Sequence, residues 1–232
     1  MTTTRLPQEV KTFVRRGSRM TTSQRHWLDR HGPAYLVDVR REARVTSIPP
    51  QPPLDLAAVF GRGTAPLVVE IGSGHGETLA FAAERHPDWD FLGFEVFDAA
   101  LASTLGKLAA ADLKNVRLVA GDGLEGLEHL LPPAAIMELW LFFPDPWHKS
   151  RHHKRRLVSQ SFADLAASRL RPGGVLRLAT DWDDYAAWTR AVLDPHPAFE
   201  RLDAGRCPDR PETKFEARGR AAGRTIHDLA YV

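Results

Sequence analysis

Residues 67–77 read Leu67-Val68-Val69-Glu70-Ile71-Gly72-Ser73-Gly74-His75-Gly76-Glu77. The first five form a β-branched and apolar run after Pro66, short enough for a buried strand. Three glycines at alternate positions follow, and Glu77 to Arg85 has the composition of a helix. In a strand-to-helix turn, glycines let the backbone approach a ligand and take positive φ, and the helix start offers unpaired N–H groups. A nicotinamide fingerprint, Gly-x-Gly-x-x-Gly, would need glycine at 77, where Glu77 stands. An acid ahead of the glycines suits a nucleoside with a cationic methionine tail, because Glu70 repels phosphate and attracts an ammonium.

Outward from this turn the pattern repeats. Strands are expected at Phe91 to Val96, Val116 to Ala120, Ile136 to Phe143 and Val175 to Thr180. Helices are expected near 98–111, 124–130 and 155–170, the last stopped by Pro172, Gly173 and Gly174. Alternating strands and helices imply an α/β fold, a mainly parallel sheet with helices on both faces. Ligands in such sheets bind beyond the C-terminal ends of the strands. Residues 1–60 are mixed and basic and end in the proline-rich stretch Ile48 to Pro53, so they are expected to form an arm or cap before a domain at 61–232.

With 232 residues, 43% of them hydrophobic, the chain can bury one substantial core. No apolar run is long enough to span a bilayer and the N-terminus lacks a secretory signal, so a soluble, cytoplasmic protein is expected. Cys207 is the sole cysteine, which excludes an intramolecular disulfide and a cysteine-rich zinc site. A net charge of +2 identifies no partner, but its distribution is informative. Lys11, Arg15, Arg16, Arg19, Arg25, Arg40, Arg41 and Arg44 precede the core, and a second basic run spans Lys149 to Arg156. Carboxylates gather at Asp181 to Asp184, so two basic regions flank an acidic pocket, an arrangement suited to a polyanion.

The remaining unusual residues fall at strand ends. Glu95 closes the second strand, where a carboxylate accepts both hydroxyls of a ribose. Asp122, in Gly121-Asp122-Gly123, stands where an adenine edge should lie and can accept its amino hydrogens, although Gly-Asp-Gly is also a turn signature. The most specific segment is Leu141-Phe142-Phe143-Pro144-Asp145-Pro146-Trp147-His148-Lys149. Flanking prolines stiffen the chain around Asp145, and Phe143 and Trp147 offer flat surfaces for a base. Guanine presents N1–H and N2–H₂ side by side, so one carboxylate can take both and leave N7 on the opposite edge. Arg151, Lys154, Arg155 and Arg156 follow and are expected to contact phosphates. His148, His152 and His153 lack carboxylate or cysteine partners at ligand spacing and sit among cations, so no metal site is expected. Thr180-Asp181-Trp182 brings another acid and indole to the same crevice.

These segments resemble the bacterial tRNA (guanine-N7)-methyltransferases, within the Rossmann-like class I methyltransferases. The likeness runs through Phe13 to Arg16, Glu70 to Gly76, Gly93 to Val96, Leu141 to Arg156, Ala179 to Trp182 and Thr213-Lys214-Phe215-Glu216. The resemblance implies S-adenosylmethionine as cofactor, held at Glu70, Glu95 and Asp122 with the turn Gly72, Gly74 and Gly76. It implies substrate contacts from Asp145, Lys149, Asp181 and Thr213 to Glu216, with Asp145 regarded as catalytic. It also implies tRNA as partner, methylated at guanine 46 of the variable loop, and action as a monomer or homodimer without an obligatory second subunit. The sequence departs at His153, where asparagine is expected, and between Tyr185 and Thr213, which is short.

Guanine N7 carries a lone pair and no proton, so attack on a sulfonium methyl needs no base there. Asp145 then serves as a clamp rather than a general base, and Asp145 and Asp181 favour the positive charge left on the purine. Three other readings stay open: an amino methyltransferase acting on adenine or cytosine in nucleic acid, a small-molecule methyltransferase, and a non-catalytic RNA-binding protein.

Overall fold

The computed structural model describes residues 12–13, 20–41 and 46–232. Of the basic residues before the core, Lys11, Arg15, Arg16, Arg19 and Arg44 lie outside the described residues. Five strands pair in parallel: β1 (Leu67–Ile71), β2 (Asp90–Glu95), β3 (Val116–Ala120), β4 (Ile136–Phe142) and β5 (Leu170–Thr180). A short β6 (Arg201–Leu202) and β7 (His227–Tyr231) complete the sheet in the order β3-β2-β1-β4-β5-β7-β6, with β7 antiparallel to both neighbours. The expected α/β sheet is present. Its strand order reverses between β1 and β4, which opens a crevice at their C-terminal ends.

Helices cover both faces. On one side α5 (Gly123–His129), α6 (Gln160–Arg169) and α7 (Asp183–Leu193) pack Leu127, Phe162, Ala166, Tyr185 and Leu193 against the sheet. On the other, α3 (Glu77–Arg85) and α4 (Asp98–Ala110) bury Leu79, Ala82, Leu101 and Leu105. Because strands are covered on both faces, β1 is buried at every position and reads as an apolar run broken only by Glu70 near its end.

Four helices are not expected from the sequence: α1 (Thr22–Tyr35), α2 (Leu56–Phe60), α7 and α8 (Lys214–Ala221). Thr21 and Gln24 form a reciprocal capping box at the start of α1. Gln24 Nε2 then donates to the Ala99 carbonyl at 3.0 Å and to Ser103 Oγ at 3.1 Å on α4. Gly106 makes room for Trp27, whose Cδ2 would lie 2.9 Å from a Cβ at that position. Polar contacts and one indole fix α1, so its apolar periodicity is weak.

Two boundaries differ from expectation. The helix expected over 155–170 begins at Gln160, with Ser159 Oγ accepting the Phe162 N–H at 3.2 Å, while Ser150–Arg155 forms a 3-10 turn. The strand expected from Val175 already starts at Leu170, through Pro172, Gly173 and Gly174, because the register against β4 shifts between Ile136 and Glu138. At Gly174 a Cβ would meet the carbonyls of Arg171, Ile136 and Met137 at 2.9–3.1 Å, so the irregular pairing needs glycine there.

Candidate active site

A cavity of about 520 Å³ opens at the C-terminal ends of β1, β2 and β4. Glu70, Gly72, Gly74, Glu95, Asp122 and Asp145 line it, together with Thr213 and Phe215 from the start of α8 and Thr12 and Phe13 from the N-terminal segment. Eight candidates from five separate stretches, Thr213 and Phe215 among them, thus converge. Gly76 does not line the cavity; its φ is +72° and a Cβ there would lie 2.3 Å from Thr104 Cγ2, so it shapes the turn from behind.

Glu70 sits on the floor of the cavity, 4% exposed, and its Oε2 has no hydrogen-bond partner among the described residues. Burial, with Glu95 and then Glu77 adding negative charge, pushes its carboxyl well above the usual range. A buried carboxylate oxygen without a partner is costly, and an ammonium placed beside it would remove the cost. Ser73 Oγ, not a candidate from the sequence, is likewise buried at this turn without a partner among the described residues.

Glu95 is held by the backbone. Its Oε2 accepts the Gly74 N–H at 2.8 Å, and its Oε1 accepts Val96 N–H at 2.7 Å and Phe97 N–H at 2.8 Å. Burial raises its pKa, and these bonds pull the other way. A carboxylate offers about four lone-pair sites, so three backbone donors leave room for one further strong donor rather than two. Asp122 caps α5, with Oδ1 accepting the Leu124 N–H at 2.9 Å. Its own N–H donates to the Thr46 carbonyl at 2.7 Å.

The loop after β4 carries Asp145 at the surface of the cavity; among the described residues its carboxylate has no hydrogen bond or ion pair. Phe143 (φ +51°) and Trp147 (φ +48°) on either side occupy the left-handed region. Bulky side chains rarely adopt it, and such strain, about 1–3 kcal/mol each, gathers at functional sites. Phe143 lines the cavity, but Trp147 does not. The Trp147 indole donates to the Thr12 carbonyl at 2.8 Å, and the Arg155 guanidinium lies 3.7 Å from its ring centroid. Among the aromatic side chains lining the cavity are Phe143 and Phe215, and Phe215 is 57% exposed.

The basic run divides. Lys149, Arg151 and Lys154 are exposed, as a phosphate contact requires. Arg155 bonds the Phe13 carbonyl at 3.2 Å while stacked on Trp147. Arg156 departs from the expectation of a phosphate contact, because it is 3% exposed. It pairs with Asp184, donates to the Pro146 carbonyl at 3.1 Å and lies over the Tyr185 and Trp188 rings.

Asp181 and Glu216 are also placed away from the cavity. Asp181 bonds Arg224 at 2.7 Å, behind α8, whose Gly219 allows the close approach. Glu216 is fully buried and receives Arg206, Arg210 and Arg220. The run Thr213 to Glu216 is thus split by helical geometry: Thr213 and Phe215 face the cavity, Lys214 is exposed, and Glu216 turns inward. Among the described residues no group of three or more His, Cys, Asp or Glu side chains is placed to hold a metal ion, and no helix is long and apolar enough to cross a membrane.

A parallel sheet with a glycine turn after β1 and acids at the ends of β1 and β2 defines a class I methyltransferase domain, and a family model described as "Putative methyltransferase" matches residues 64–229. A solved antibiotic-related methyltransferase superposes with a TM-score of 0.53 at 15% identity, covering 76% of this chain and 92% of that one, which shows the shared fold. A tRNA (guanine-N(7)-)-methyltransferase from Cutibacterium acnes is 52% identical, over 98% of this chain and 84% of that protein. One from Nocardioides sp. is 47% identical, over 97% and 87%. The chain belongs to the tRNA (guanine-N(7)-)-methyltransferase family.

Proposed function

We propose that this protein transfers the methyl group of S-adenosylmethionine to N7 of a guanine in tRNA, at variable-loop position 46. The observation that carries the reading is a pair of carboxyl groups in one cavity, without partners among the described residues: Glu70 on its floor and Asp145 at its rim. The floor suits the cofactor. Glu70 would take the ammonium of the methionine tail, Glu95 one ribose hydroxyl through its remaining lone-pair site, and Asp122 the adenine amino edge. When bound, the cofactor supplies an electrophilic methyl on a sulfonium.

The rest falls to the chain's own residues. Asp145 accepts guanine N1–H and N2–H₂ and so turns N7 inward, while Phe143 and Phe215 flank the base. Holding reactants in line is worth up to roughly 7–11 kcal/mol, and no proton has to be removed from N7. Asp145 also lowers the energy of the positive charge that develops on the purine. Lys149, Arg151 and Lys154 hold the tRNA backbone, and residues 1–60 act as an arm on a domain at 61–232. The same reading places the protein in the cytoplasm, acting without an obligatory second subunit.

The test is incubation of the purified protein with methyl-labelled S-adenosylmethionine and unmodified total tRNA, followed by nucleoside mapping. Label in 7-methylguanosine is expected. Label in a methylated amino group of adenosine or cytidine would favour the amino methyltransferase instead.

A further inference from the structure

Arg210 is a buried cation without an obvious need to be one. It is 2% exposed, and its Nε has no partner among the described residues. Its two terminal nitrogens donate to Glu216 Oε2 at 3.1 Å and Asp228 Oδ1 at 2.5 Å. Its guanidinium carbon lies 5.3 Å from the Phe142 ring centroid and 5.2 Å from that of Phe143. Replacing a buried ion pair by apolar side chains is often neutral or stabilising, so stability alone is a weak reason for this arrangement.

The position supplies a better one. Phe143 is the positive-φ residue at the root of the loop carrying Asp145, and it lines the cavity. Glu216 lies in the first turn of α8, one residue after Phe215, which lines the same cavity with Thr213. Arg210 is thus bonded to α8 and lies over the aromatic rings at the root of the Asp145 loop. A planar guanidinium with fixed donors suits this double duty, and a lysine ammonium does not.

We infer that Arg210, fixed by Glu216, is a positioning residue for methyl transfer: it holds the Asp145 loop and the α8 wall at the spacing that a bound guanine needs. Glu216 then acts through Arg210 and does not touch the base. The inference rests on reading the cavity as the methyl-transfer site.

The test uses full-length Arg210→Met, Arg210→Lys and Glu216→Gln. For each, single-turnover methyl transfer to tRNA at saturating cofactor is measured beside melting temperature and calorimetric affinity for S-adenosylmethionine. Both Arg210 variants should lose about ten- to a hundredfold in rate, the scale of a misplaced reactant. Cofactor affinity should stay near that of the parent and lysine should not rescue the rate, whereas the melting temperature of Arg210→Met should fall, because Glu216 and Asp228 lose a buried partner. Glu216→Gln should show the same split in milder form, and it carries the test if an Arg210 variant does not fold. Parent-like rates, full rescue by lysine, or joint loss of rate, melting temperature and cofactor affinity in all variants would overturn the inference. A parent that transfers no methyl to guanine would instead overturn the reading of the cavity.

Discussion

Arg155 and Trp147 form a stacked pair, the guanidinium carbon 3.7 Å from the ring centroid, and each also bonds a backbone carbonyl of the N-terminal segment, Phe13 and Thr12 respectively. The pair therefore ties residues 12–13 to the loop that carries Asp145. It also leaves Lys149, Arg151 and Lys154 as the members of the run turned to solvent.

That division predicts two different mutant phenotypes. Replacing Arg151 and Lys154 together by alanine should flatten the salt dependence of tRNA binding, by about 0.9 slope unit for each duplex phosphate that is no longer neutralised. Arg156→Ala should leave the slope unchanged and lower stability by about 0.5–3 kcal/mol, the usual range for a destabilising single substitution. Binding titrations across salt, with thermal melts, distinguish the two; a changed slope in Arg156→Ala would contradict the placement.

Glu70 makes the cofactor site pH-dependent. Its raised pKa means that the folded protein keeps a proton the unfolded chain has released, so stability without cofactor should fall as pH rises from the ordinary carboxylate value through the raised one. An ammonium ligand favours the charged form, so cofactor binding should tighten over the same window and release a proton. Glu70→Gln should remove this contribution and weaken binding. Calorimetry in two buffers of different ionisation enthalpy checks it, and equal proton release by parent and variant would refute the assignment.

Gly76→Ala should destabilise the glycine turn by about 1–3 kcal/mol, because its φ is +72° and Thr104, fully buried, stands where the methyl must go. Thr104 Oγ1 also bonds the Gly74 carbonyl at 3.2 Å, so cofactor affinity should drop too. Thermal melts and calorimetry together test this; an unchanged melting temperature would contradict it.

Much of the sheet was legible in the sequence because its strands are buried on both faces. Runs such as Leu67 to Ile71 then need no alternation to be recognised, and the glycines and acids mark their C-terminal ends. The acids of the cavity were legible for the same reason, since strand ends fix where they lie. What escaped were features set by residues that meet from distant parts of the sequence. Helix α1 depends on Gln24 and Trp27 meeting α4, and β7 depends on pairing with β5. The inward turn of Arg156 and Glu216 escaped because local composition cannot distinguish a solvated charge from one that meets Asp184 or Arg210 across the fold.

The most direct test of the clamp compares transfer rates to tRNA carrying guanosine or inosine at the target position, with the parent protein and with Asp145→Asn. Inosine keeps N1–H and N7 but lacks the amino group. Asparagine keeps one acceptor and faces a donor with a donor, a mismatch of roughly 1–3 kcal/mol, so kcat/KM on guanosine tRNA should fall about five- to 140-fold at 1.4 kcal/mol per decade. The parent should be slower on inosine than on guanosine, and Asp145→Asn should show a smaller inosine penalty. Full activity in Asp145→Asn, or the same inosine penalty in both proteins, would contradict the account and place Asp145 elsewhere than at the amino edge of the base.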